Sequence, residues 1–99
     1  MEWLKPYADL LEDSQSTTFR LPSCHLEPEI ESDKQCTVNP VDVDDVVVGD
    51  IVVCRFRRGD EMGIVRKIQG ERYKIGTPRR FLRWADAEEI LGKLTNVED

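Results

Sequence analysis

Apolar residues recur at helical spacing over the first dozen positions and alternate with polar ones through much of the second half. Trp3, Leu4, Tyr7, Ala8, Leu10 and Leu11 fall at three- and four-residue intervals, which predicts a helix of about two to three turns with one apolar face. Pro6 fits that helix only in its first turn, where a missing N–H costs no hydrogen bond. The polar stretch Ser14-Gln15-Ser16-Thr17-Thr18 is expected to end the helix as a linker. From Thr37 onward the pattern is that of strands. Thr37-Val38-Asn39 is extended and stops at Pro40, and residues 41–48 form an acidic, turn-rich approach. The β-branched run Ile51-Val52-Val53 continues as Cys54-Arg55-Phe56-Arg57, with Cys54 and Phe56 on one face and Arg55 and Arg57 on the other.

Arg58-Gly59-Asp60-Glu61 is expected as a hairpin turn, residues 62–68 as the return strand, Gln69-Gly70-Glu71 as a second turn and residues 72–76 as a third strand, together a meander. Thr77-Pro78-Arg79-Arg80 reads as a loop, Phe81-Leu82-Arg83-Trp84 as a short extended piece with Trp84 in the core, and residues 85–89 as one helical turn. Residues 90–97 form a closing strand in which Gly92 marks a bulge or a close backbone approach. The expected fold class is mainly β: a single curved antiparallel β domain over residues 19–99, preceded by a helix and linker over residues 1–18.

Ninety-nine residues suit one core. No apolar run approaches the roughly 20 residues that cross a bilayer, and the first residues lack a basic start followed by an apolar stretch. A cytoplasmic protein without membrane association is expected. Cys24, Cys36 and Cys54 form no CxxC pair, so reduced thiols are expected and neither metal nor cofactor. The net charge of -6 is unevenly spread. Residues 1–50 carry twelve acids against three bases, and residues 51–99 carry eight against eleven. The acidic half is expected to be a solvated surface.

The stretch Phe19-Arg20-Leu21-Pro22-Ser23-Cys24-His25-Leu26-Glu27-Pro28-Glu29-Ile30, followed by Pro40-Val41-Asp42 and Val48-Gly49-Asp50-Ile51-Val52-Val53, resembles the opening half of a LexA-type or signal-peptidase-type serine peptidase domain. Ile64-Val65-Arg66-Lys67-Ile68, residues 70–76 and residues 90–94 look like its later strands, so the likeness spans about residues 19–98. In that family the first stretch reads Gly-x-Ser-Met-x-Pro-x-Ile, its serine is the nucleophile, and a lysine on the later strand is the base. Here His25 stands at the serine, Leu26 at the methionine and Arg66 at the lysine. The resemblance implies the fold and a groove, formed by His25, Leu26, Glu27, Pro28 and Arg66, that holds an extended peptide beside a sheet edge.

The dyad chemistry needs a hydroxyl and a base that can shed its proton. Arginine stays protonated across the accessible pH range, and histidine at position 25 offers no hydroxyl. Ser23 with Lys67 could replace the pair only through two register slips, and a one-residue slip on a strand turns a side chain to the other face. The expected function is therefore a non-catalytic protein- or peptide-binding regulatory or inhibitory module. His25 is expected to be a partly buried histidine bonded to backbone or to Glu27 rather than a catalytic or metal-ligating one.

A different class competes. Ten basic residues from Arg55 to Arg83 are interleaved with Phe56, Tyr73, Phe81 and Trp84, the mix of phosphate contacts and stacking rings that small β-barrels use on single strands. In this alternative Arg55, Arg57, Arg79, Arg80 and Arg83 carry nucleic-acid binding. A third alternative is an active serine peptidase with its nucleophile displaced to Ser23.

Overall fold

A computed structural model of the chain describes residues 2–21, 33–79 and 81–98. A single 3-10 turn, Glu2–Leu4, leads into α1, Lys5–Glu12, with Pro6 in the first helical turn as its geometry requires. Ser14 ends the helix in the left-handed region at φ 62. Its N–H donates to the Leu11 carbonyl and the Gln15 N–H to that of Leu10, both at 2.9 Å, a Schellman closure in which a serine takes the place glycine usually holds. The expected linker is shorter than its polar composition suggests, because Thr17 already begins the first strand.

The strands are β1 (Thr17–Arg20), β2 (Gln35–Pro40), β3 (Ile51–Phe56), β4 (Gly59–Gln69), β5 (Arg72–Gly76), β6 (Phe81–Asp86) and β7 (Ile90–Glu98). They make one antiparallel sheet in the order β1-β2-β7-β3-β4-β5-β6. The mainly β, antiparallel class is thus as expected. The sheet stays open, with β1 and β6 at its ends, so the nucleic-acid alternative's closed barrel is corrected. The last strand does not cap an edge; β7 lies inside the sheet, between β2 and β3.

Both faces of the sheet are covered. On one, α1 supplies Leu4, Ala8 and Leu11 to a core with Phe19, Cys36, Val38, Val53, Met62 and Ile64. On the other lie Val46, Val52, Cys54, Phe56, Val65, Tyr73, Ile75, Ala85 and Ile90. Consecutive side chains of a strand point to opposite faces, so the unbroken apolar run of β3 is divided between two cores.

Three glycines explain local departures from regular pairing. Gly49, at φ +100, turns the chain before β3 so that its N–H reaches the Val65 carbonyl at 2.8 Å, while the Asp50 carboxylate accepts from the Val47 N–H at 2.9 Å and pairs with Lys93 at 3.1 Å. The β3–β4 turn is the pair Arg57-Arg58, and Gly59 at φ +145 already belongs to β4. The four-residue turn read over residues 58–61 is therefore two residues long and placed earlier. At Gly92 an added Cβ would lie 2.8 Å from the Asn39 carbonyl oxygen and 2.9 Å from Leu11 Cδ2, the close approach that the glycine in a strand pattern predicts.

Candidate functional site

Among the basic residues of the second half, Arg55 is structural, and a further set gathers around β5 and β6. Arg55 is directly opposite Asp60 in the β3–β4 ladder, on the face that α1 covers. Its guanidinium also reaches Asp9 at 2.7 Å and hydrogen-bonds Glu12, both on α1. This removes Arg55 from the nucleic-acid set: a strand arginine expected to face solvent instead ties the helix to the sheet. Those bonds, with Asp60 first, push the Arg55 guanidinium further towards its charged form. Arg57 is exposed on the turn rather than beside Arg55 on a strand face.

At the other end of the strand order, a bulge brings cations together. Val65 pairs with Ile75 and Lys67 with Lys74, so Arg66 is the extra residue between them on β4. The Arg66 Nη1 donates to the Thr77 carbonyl at 2.9 Å, which fixes a guanidinium with further N–H groups to offer. Beyond β5, the Arg79 N–H donates to Thr77 Oγ1 at 3.2 Å. Arg66, Lys74, Thr77, Pro78, Arg79 and Phe81 line a cleft of about 170 Å³. Among the described residues its wall holds three cations and no carboxylate. Lys67 and Lys74 lie directly opposite in register, a like-charge pair that costs stability in a sheet unless an anion offsets it.

Phe81 is 49% exposed and is shared by a second depression of about 480 Å³, lined also by Arg58, Glu61, Leu82 and Arg83. Cations and rings meet repeatedly here: Lys74 stands 5.2 Å from the Phe81 centroid, Arg72 5.1 Å from Trp84 and Arg83 4.4 Å from Phe56. Phe56 and Tyr73 are core, whereas Trp84 is only half-buried on the edge strand and is not the core ring expected. Among the described residues, Glu61 Oε2 is buried without a hydrogen-bond partner. Burial first, then Glu89 and Glu61, pushes the Cys54 thiol far up, so Cys54 is an unreactive core residue.

Of the peptidase-like positions, Ser23, His25, Leu26, Glu27 and Pro28 lie outside the described residues, as do Cys24 and Arg80. Arg66 is exposed and lines the cationic cleft. Lys67 is exposed on β4, without the burial on which a lysine base depends. Among the described residues no group of three His, Cys, Asp or Glu side chains is placed to hold a metal, and no helix is long and apolar enough to cross a membrane. Arg79 is exposed in the cationic cleft, whereas Arg83 is half-buried with its guanidinium against Phe56. Arg58, Arg66 and Lys74 join them only because the bulge and the short turn aim them there, which strand alternation alone does not reveal. No family model and no curated protein matches the chain.

Proposed function

We propose that this chain is a non-catalytic binding module whose β5–β6 end takes single-stranded nucleic acid. The observation that carries this reading is Phe81, a half-exposed ring forming the common wall of two depressions, one bearing Arg66, Lys74 and Arg79 and the other Arg58 and Arg83. A single strand presents the same alternation of anion and flat apolar surface, and base stacking on an aromatic is worth about 1–3 kcal/mol. The net charge of -6 does not oppose it at contact range. Charges beyond about 8 Å are screened at physiological ionic strength, and the residues lining the two depressions are five cations and one carboxylate, Glu61. A hydrolytic role has less support, since the cation matching the peptidase lysine is an arginine.

A second reading keeps the sheet-edge peptide of the resemblance. It is favoured by β6, an end strand along which an extended acidic peptide could add main-chain hydrogen bonds. Fluorescence anisotropy with a labelled single strand of about ten nucleotides, beside an acidic peptide of similar length, separates the two. The first reading expects the oligonucleotide to bind and Phe81→Ala to weaken it at least several-fold. Binding of the peptide alone would overturn it in favour of the second.

A further inference from the structure

The two depressions differ in size and charge in a way that points to how a strand is seated. The larger, at about 480 Å³, falls within the range of pockets that hold a whole small molecule, roughly 300–1,000 Å³, and can take a base with its sugar against Phe81. The smaller, at about 170 Å³, is below that range and suits a single compact group.

Charge sharpens the distinction. The larger depression sets Glu61 beside Arg58 and Arg83, so a doubly charged group there meets a carboxylate. The smaller sets Arg66, Lys74 and Arg79 together without one, and the Thr77 carbonyl holds the Arg66 guanidinium in place at 2.9 Å. Three cations exceed what one internal phosphodiester, with its single charge, brings. A phosphate monoester carries about -1.5 to -2 charges at pH 7 and three acceptor oxygens, and arginine forks match such oxygens with paired hydrogen bonds.

We infer that the Arg66–Lys74–Arg79 cleft is a site for a phosphate monoester, the phosphorylated end of a nucleic-acid strand, with the terminal nucleotide lying against Phe81 in the adjoining depression. This rests on the single-strand reading given above. It also gives Lys67 and Lys74, held opposite each other, an anion nearby.

The test compares one oligonucleotide with a 5′-phosphate, a 3′-phosphate or hydroxyl ends, using the full chain, with inorganic phosphate as competitor. One of the two phosphorylated forms is expected to bind about tenfold tighter than the hydroxyl form, the worth of an added charge-assisted contact. That preference should vanish in Arg66→Gln/Arg79→Gln, a pair of exposed residues whose replacement leaves the melting temperature near that of the parent. It should also shrink between pH 7 and pH 5, as the monoester, with a second pKa of about 6, loses a charge. Free phosphate should compete away the preference while leaving hydroxyl-ended binding. Equal binding of all three forms would overturn the end-recognition site and leave the single-strand reading standing. Binding of none would overturn both.

Discussion

Arg55 and Asp60 face each other across the β3–β4 hairpin and share two hydrogen bonds, Nε to Oδ1 at 2.8 Å and Nη2 to Oδ2 at 3.0 Å. The Asp60 side chain is only 7% exposed, and the same guanidinium continues to Asp9 and Glu12 on α1. One side chain thereby links a hairpin to the helix that covers it. Breaking a buried pair by removing one member costs roughly 3–5 kcal/mol, because the remaining charge keeps its desolvation penalty. Arg55→Met should therefore lower unfolding stability by about 3 kcal/mol, allowing for the partial exposure of the arginine. Arg55→Met/Asp60→Leu should recover most of the loss in urea denaturation.

The same contact sets a pH dependence. The Arg55 hydrogen bond, with Lys5 second, holds the Asp9 carboxyl below its ordinary 3.8. A group whose folded-state value is depressed contributes stability that is complete above the unfolded value and is lost as pH falls through the folded one. The stability difference between the parent and Asp9→Asn should thus be constant at neutral pH and shrink as the pH drops below 3.8. Unfolding midpoints from pH 7 downward measure it.

At Ser14, the helix-ending residue sits at φ 62, a region that costs a residue with a Cβ roughly 1–2 kcal/mol. Its carbonyl-seeking N–H is a backbone group and survives substitution. Ser14→Gly should raise stability by about 0.5–1 kcal/mol, read as a higher thermal midpoint.

Gly92 behaves oppositely. A Cβ there meets the Asn39 backbone at 2.8 Å and two core side chains at 2.9 and 3.0 Å, none of which can retreat without opening the β2–β7 pairing or the helix packing. Gly92→Ala should cost about 1–3 kcal/mol, with amide exchange accelerating first in α1 and β2.

Much of the fold is legible in the sequence because it is local. The 3.6-residue spacing of Leu4, Ala8 and Leu11 gives the helix and its buried face, and the glycines at 59 and 70 mark the two reversals of the meander. Sequence also gives the close approach at Gly92. What it hides depends on partners far along the chain. Arg55 alternates with core residues as a solvent-facing arginine would, and only the docking of α1, 43 residues away from it at Glu12, makes that face an interior. The insertion of β7 between β2 and β3 is likewise set by non-local pairing. At the candidate site, Arg79 and Arg83 follow from the cation-rich pattern, whereas Arg66 and Lys74 come together through a bulge that shifts register by one residue and leaves no mark in composition. Trp84 looks like a core ring in one dimension; on an edge strand it stays half-buried, with Arg72 against it.

The central claim is that the cations around Phe81 contact the phosphates of a single strand, and the salt dependence of binding tests it most directly. For single strands, the slope of log K against log salt is about -0.7 per phosphate neutralised. Anisotropy titrations of one hydroxyl-ended oligonucleotide from about 50 to 200 mM salt should give a steep negative slope for the parent. The slope should become shallower by about 0.7 for each cation removed in Arg83→Gln and in Arg58→Gln. A slope unchanged by either substitution, or no binding at the lowest salt, would contradict the account.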